Sequence, residues 1–245
     1  MSTLVTGGTG TLGQPTVEAL RKTGTEVRVL SRKPGPRRVT GNLSTGEGLA
    51  DALAGVDTVL HLATTRRKDS GQTRVLLDAL AASLVSHLIF ISIVGVDQIP
   101  YFYYRDKTVS ERMIEASGIP FTTLRATQFH DFVADLFRMQ RRLPTLFALD
   151  IEVQPIAVEE VANRLVELAG ATPAGRVADI GGPEQLAMRE LAEIWQEAQG
   201  TTKKIRTLRI PGKTIAAFKA GHHLTAVPGY GTETFAEYAQ REAAQ

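Results

Sequence analysis

Hydrophobic positions in the first 125 residues fall into two alternating patterns. Short apolar or β-branched runs occur at 3–6 (TLVT), 26–30 (EVRVL), 57–62 (DTVLHL), 87–92 (HLIFIS) and 121–125 (FTTLR). Between several of them lie stretches with helical spacing: Val17 and Leu20 before Gly24, Leu49 and Leu53 before Gly55, Val75 to Leu80, and Val109 and Met113 before Gly118. A glycine just past a helix end supplies the left-handed cap, and Pro15 suits a first helical turn. The runs are continuous rather than alternating, as strands buried on both faces require. Strand and helix in alternation predict parallel strands with crossover helices on both faces of one sheet. Pro34 and Pro36 interrupt the rhythm, so a loop and a short strand are expected there.

After residue 125 the rhythm loosens. The segment QFHDFVADLFRMQRRL reads as a helix with Phe129, Phe132, Val133 and Leu136 on one side. VEEVANRLVELAG is an amphipathic helix ending at Gly170, RVADIGG a late strand and turn, and AMRELAEIWQEAQG a further helix that packs Trp195. Two short helices are expected in IPGKTIAAFKAG and TFAEYAQREAAQ. The expected division is a core over residues 1–125 and a second portion over 126–245 that partly returns to the same sheet.

The 245 residues are 43% hydrophobic and 22% charged, enough for a substantial core. A net charge of +2 is too small to argue for nucleic-acid binding, and Arg66, Arg67 and Lys68 read as a solvated loop. With no cysteine, disulfides, thiolate metal sites and a cysteine nucleophile are excluded. No apolar stretch approaches the roughly 20 residues that span a bilayer. The expectation is a cytoplasmic protein without a signal peptide or membrane contact. The oligomeric state stays open, a homodimer included.

The stretch LVTGGTGTLG, residues 4–13, follows the first strand and opens the first helix. Its spacing, Gly7-x-x-Gly10-x-x-Gly13, matches the dinucleotide fingerprint: one glycine for the tight turn, one for close approach of pyrophosphate, one for helix–strand packing. The backbone N–H groups of Thr9, Thr11 and Leu12 and the helix dipole then face the phosphates. This junction within a parallel α/β pattern is the context the motif needs. The predicted class is therefore a Rossmann-type, doubly wound sheet with a small C-terminal substrate-binding portion. No lysine follows the loop as a P-loop requires.

An NAD site offers a carboxylate at the end of the second strand for the ribose 2′-OH. Here the strand runs into Ser31, Arg32 and Lys33. Arg32 can grip a 2′-phosphate with its fork and Ser31 can donate a further bond, which favours NADP(H) over NAD(H).

TGGTGTLG, HLAT, YYRDK and SGIPFTTLRATQF together resemble the short-chain dehydrogenase/reductase superfamily, more narrowly its atypical branch with the NmrA-like and NAD(P)H-quinone-reductase-like proteins. The resemblance covers most of the chain. It implies that Leu62, Ala63 and Thr64 border the adenosine side of the cofactor. It implies that Asn42 and Leu43 lie near the adenine, with Asn42 where Asp is more usual. It places Ala126, Thr127, Gln128 and Phe129 along the nicotinamide.

In that superfamily a Tyr hydroxyl gives a proton to the carbonyl oxygen as hydride arrives. A Lys one helical turn on holds the nicotinamide ribose and lowers the Tyr pKa, and a Ser orients the substrate. Tyr103 and Lys107 have the i, i+4 spacing that shares a helix face. Tyr104 is one residue out of register. Ser92, at the end of the fourth main strand, is the candidate Ser, and a one-residue shift would turn it into the core.

His222 and His223 read as surface, His61 and His87 as core or edge histidines, and His130 as a residue near substrate. The expected activity is NADPH-dependent reduction of a carbonyl or quinone on a small apolar molecule, with Phe129, Phe132 and residues 211–224 as its wall. The rivals are a non-catalytic NADP(H)-binding regulator and a biosynthetic enzyme on the same scaffold.

Overall fold

The computed structural model describes residues 2–244. They form two compact units that share the chain. The first comprises residues up to 92, 102–125 and 161–178; the second comprises 93–101, 126–160 and the chain from 179.

The chain begins with β1 (Ser2–Thr6), α1 (Gly13–Lys22), β2 (Glu26–Ser31), β3 (Arg38–Thr40), α2 (Leu49–Leu53), β4 (Thr58–His61) and α3 (Asp69–Leu80). It continues through β5 (His87–Ile93), α4 (Phe102–Glu115), β6 (Phe121–Ala126), α5 (His130–Arg138), β7 (Thr145–Leu149) and β8 (Glu152–Val153). Then follow α6 (Val158–Ala169), β9 (Gly175–Arg176), β10 (Leu186–Ala187), α7 (Met188–Ala198), β11 (Lys204–Leu208), α8 (Lys213–Lys219) and α9 (Phe235–Ala243).

The main sheet has seven strands in the order β3-β2-β1-β4-β5-β6-β9. Strand β1 pairs parallel with both β2 and β4, so the order reverses there, the place where open α/β sheets bind ligands. The sheet is covered on both faces, as the apolar runs require: Leu4 and Val5 point to opposite sides and neither is exposed. Leu4 and Leu30 pack with Leu49, Leu53, Leu76 and Leu80 of α2 and α3. Val29 lies against Gly8 and on the same side as Val17 of α1. The two prolines leave only the three-residue β3 in their segment.

Helix α4 is fastened to β6 by an ion pair. The Arg125 guanidinium donates twice to Glu111, at 2.9 and 2.6 Å, and both side chains are buried. Two parallel bonds answer both carboxylate oxygens, so each charge is compensated where water cannot reach it.

The second unit packs Val133, Ala134 and Phe137 of α5 against Leu191 and Trp195 of α7 and Phe235 of α9. This corrects the expected face of α5: Phe132 is 42% exposed, and the buried stripe is His130, Val133, Ala134 and Phe137. The i, i+3, i+4, i+7 spacing begins one residue later than the aromatic positions suggested. Four strands were not anticipated, the two-residue β8 and β10 among them. TLFAL (β7) and KIRTL (β11) pair in parallel at 145–149 and 204–208. The apolar run of β7 is short and half-buried, and β11 is mostly exposed and polar. The expected late strand shrinks to β9, which pairs with β6.

Removing one partner of the Arg125–Glu111 pair leaves a buried charge unanswered. Glu111→Ala is expected to lower unfolding free energy by about 3–5 kcal/mol. Urea denaturation checks this; a loss below about 1 kcal/mol, the range of exposed pairs, would contradict the fastening role.

Candidate cofactor-binding and active site

The turn between β1 and α1 is set by steric demands that two glycines meet. Gly7 has φ +72°, and a Cβ there would lie 2.6 Å from the Ala63 nitrogen. A Cβ on Gly13 would lie 2.1 Å from the Gly7 carbonyl oxygen. Both positions are closed by the protein's own backbone. Gly10 differs. It is exposed, its φ lies outside the left-handed region, and a Cβ would approach only the Gly7 oxygen, at 3.3 Å. The fold therefore presses on position 10 far less than on 7 or 13, needing a shift of only a few tenths of an ångström, whereas a group approaching from outside would demand glycine there. Thr9 and Thr11 are exposed on the same turn, and Leu12 is buried beneath it. No side chain caps α1, and its first turn holds no acidic residue. The start of α1 thus presents N–H groups and the positive dipole end, the chemistry a pyrophosphate needs.

At the end of β2, Ser31 Oγ accepts the Lys33 backbone N–H at 3.1 Å and keeps its own proton to donate. Arg32 and Lys33 are exposed, and neither makes an ion pair among the described residues. Asn42 Oδ1 accepts the Ser44 N–H at 2.9 Å, which orients its amide, and Leu43 is buried in the core.

Beyond β4, Leu62 is buried, and Ala63 lies against Gly7. The register that sets Thr6 opposite His61 lets Thr6 Oγ1 bond His61 Nδ1 at 2.8 Å; His61 Nε2 lies 3.2 Å from Thr73 Oγ1 on α3. Burial above all, helped by the positive charge of Lys107, lowers this imidazole to about 3. His61 is a neutral core histidine, as its strand position suggested.

Asp69, at the start of α3, was missed in the sequence. The helix extends further toward the N-terminus than its apolar positions implied. Asp-Ser ahead of a periodic segment is a helix-start signature that would have found it. Asp69 is 1% exposed. Its carboxylate accepts from Thr64 Oγ1 at 2.6 Å, the Thr65 N–H at 2.7 Å and Thr65 Oγ1 at 3.1 Å, and Lys107 Nζ stands 3.6 Å away. Burial pushes its pKa up, but Lys107 and these hydrogen bonds outweigh it and hold the carboxyl below its usual value. Asp106, on α4, accepts the backbone N–H groups of Asp69 and Ser70 and the Ser70 hydroxyl, capping α3 from a neighbouring helix.

Tyr103 and Lys107 are both on α4, as their spacing requires. The Tyr103 hydroxyl lies 3.1 Å from Thr64 Oγ1 and its ring is partly exposed; Tyr104 is buried beside it. Lys107 is 3% exposed, donates to the Ile91 carbonyl at 3.3 Å and lies over the Phe90 ring. Burial pushes its pKa down, against the pull of Asp69, Asp106 and Glu111. Burial raises the Tyr103 pKa, the contact with Thr64 works against the rise, the charges of Asp69 and Asp106 add to it, and the charge of Arg66 opposes them. Lys107 has its charge engaged by Asp69. Ser92 is buried, and its hydroxyl has no hydrogen-bond partner among the described residues.

Ala126, Thr127, Gln128 and Phe129 belong to the second unit. Their backbone is pinned: the Thr127 N–H donates to Ile180, and Gln128 accepts from the Ile156 N–H. The polar side-chain atoms of Thr127 and Gln128 are buried without hydrogen-bond partners among the described residues. Two histidine expectations change. His130 is fully buried, stacked on Tyr238 at 5.1 Å and bonded to the Glu233 carbonyl, with its pKa lowered by burial to about 4. His223 is buried too, bonded to the Glu152 carbonyl at 2.8 Å and set edge-on to Phe218.

A sequence profile of a family described as NAD(P)H-binding matches residues 7–170, the span that holds the glycine turn, Arg32, Tyr103 and Lys107. The chain belongs to this NAD(P)H-binding family. Among curated relatives, it is 32% identical to the photosystem II assembly factor Ycf39 of Cyanophora paradoxa over 149 residues, 53% of this chain and 46% of the relative. The match thus spans under half of that relative's length. Among solved structures, the triphenylmethane reductase of Citrobacter sp. superposes with a TM-score of 0.81 at 18% identity, over 99% of both chains. The NADPH-dependent quinone oxidoreductase of Escherichia coli superposes with a TM-score of 0.80 at 19% identity, over 98% of this chain and 99% of that one. At such identities the likeness is one of fold. In this NAD(P)H-binding protein the glycine turn, the bare start of α1 and unpaired Arg32 fit the cofactor's phosphates.

Two expectations follow. Gly10→Ala should cost far less unfolding free energy than Gly13→Ala while weakening NADPH binding at least about tenfold, whereas Gly13→Ala should destabilise by several kcal/mol or prevent folding. Denaturant melts and titration calorimetry separate the two; equal destabilisation by both substitutions would contradict the division. The second concerns pH. A histidine near 3 when folded and near 6.5 when unfolded takes up its proton first in the unfolded state, so stability is present above 6.5 and is lost as pH falls toward 3. His61 should contribute a fall of about 1.4 kcal/mol per pH unit across that window, and His61→Gln should remove that contribution. Unfolding free energies between pH 7 and about 4 test it, and an unchanged slope in the variant would refute it.

Proposed function

We propose that this protein is an NADPH-dependent oxidoreductase that reduces a carbonyl or quinone of a small, mainly apolar organic molecule. The observation that carries the reading is the end of β2, where Arg32 stands exposed and unpaired and no carboxylate occupies the place that would repel a 2′-phosphate. The Arg32 fork suits that phosphate, and Ser31 retains a proton for it. The nucleotide, when bound, supplies hydride. Tyr103 supplies the proton: its raised pKa keeps the phenol protonated at neutral pH, the state a proton donor needs. Lys107 holds the charge balance beneath it by pairing with Asp69.

A second reading, an NADP(H)-binding protein that acts through a partner without turnover, is favoured by the same lysine. A Lys107 committed to Asp69 and the Ile91 carbonyl leaves Tyr103 without the close cation of working superfamily members. The curated relative named as an assembly factor supports that reading as well.

Arg32→Ala should weaken NADPH binding by about tenfold or more, the worth of a charge-assisted phosphate contact, and leave NADH binding within about twofold. Tighter binding of NADH than NADPH by the unaltered protein would sink the cofactor assignment. NADPH oxidation over a panel of quinones and aldehydes, with Tyr103→Phe expected to lose about 10²-fold or more, tests the activity. No turnover on any of them, with NADPH still bound tightly, favours the second reading.

A further inference from the structure

The Thr64 hydroxyl has one proton and two acceptor positions, and all three are engaged. The Asp69 carboxylate, 2.6 Å away, can only accept, so Thr64 donates to it. The Arg66 backbone N–H fills one acceptor position from 3.1 Å. Tyr103 Oη, 3.1 Å from the same oxygen, meets the one that is left and must therefore be the donor. The charge on Asp69 thus decides the direction of a contact that distance alone leaves open. Lys107 Nζ sits 3.6 Å from Asp69 Oδ2, the oxygen that Thr64 bonds. All of these groups lie in the first unit.

We propose that Thr64 and Asp69 are positioning residues for Tyr103, turning the phenol proton toward Thr64 when no substrate is present, and that Lys107 acts on Tyr103 through them rather than directly. Two details support the construction. The chain turns through the left-handed region at Arg66, φ 60°, directly beyond the N–H that bonds Thr64. Asp106 and Ser70 hold the start of α3, and Asp69 with it, against α4, the helix that carries Tyr103. An incoming carbonyl oxygen competes with Thr64 for the phenol proton, so Thr64 fixes where that proton waits.

The kinetic part rests on the oxidoreductase reading; the spectroscopic part does not. The Tyr103 Cζ resonance is read at neutral pH in protein with isotope-labelled tyrosine, without nucleotide, and assigned by its loss in Tyr103→Phe. The unaltered protein and Thr64→Ser should agree, because serine keeps the hydroxyl. Thr64→Val should move the resonance. Asp69→Asn should move it too, because an asparagine amide can donate to Thr64 and turn its proton toward Tyr103. The combined variant should match Thr64→Val alone. A resonance unmoved by Thr64→Val overturns the proposal, as does an Asp69→Asn shift that persists in the Thr64→Val background. If Asp69→Asn does not fold, with Lys107 unpaired, the Val and Ser variants decide alone. Where turnover is found, Thr64→Val should lower kcat about tenfold with KM little changed, and Thr64→Ser should restore it to within about twofold. Absence of turnover in the unaltered protein refutes the oxidoreductase reading and leaves the resonance test intact.

Discussion

A carboxylate that cannot reach water must be answered by protons from the chain, and the loop between β4 and α3 is shaped by that demand at Asp69. Two threonine hydroxyls, one backbone N–H and one lysine converge on it. Each contact fixes something else. The threonines hold the loop, Lys107 ties α4 to α3, and the folded loop bears Thr64 toward Tyr103. A buried charge left with fewer partners would cost several kcal/mol, so these contacts stand or fall together. The lysine of a Tyr-x-x-x-Lys pair is thereby redirected inward, and the tyrosine's electrostatic surroundings become those of two carboxylates and an arginine.

The glycine turn obeys a different constraint, one of space. Gly7 and Gly13 are closed by the protein's own atoms, and Gly10 is pressed only lightly from within. Close approach of this turn to Ala63 draws the ends of β1 and β4 together at the point where strand order reverses. The Thr6–His61–Thr73 chain of bonds continues that junction into α3. Sterics at the surface and hydrogen bonding beneath it therefore fix the same corner of the sheet.

Much of the first unit was readable from residue patterns because parallel strands covered on both faces leave unbroken apolar runs, such as HLIFIS, and helices ended by glycine leave plain stops. The strand–glycine–helix junction was readable because steric closure permits few residue types. Asp69 was not, since a carboxylate in a cation-rich loop looks solvated until its threonine donors are seen around it. Nor was the inward turn of Lys107: spacing puts it on a helix face without saying what that face meets. His130 and His223 misled in the same way, because a histidine whose ring finds one carbonyl partner can be wholly buried. Strands β7 and β11 were hidden because each has meaning only beside the other, 55 residues or more away in the chain.

The path of the chain carries a consequence of its own. Residues 93–101 belong to the second unit although they lie between segments of the first, and residues 161–178 return to the first after a long excursion. The polypeptide changes unit five times between residues 92 and 179. No single cut releases either unit whole, and a fragment ending at residue 125 would lack β9, the outermost strand of its sheet. Neither unit can have been acquired, or be exchanged, as one contiguous insert, so the two are committed to being inherited as a single indivisible length of sequence.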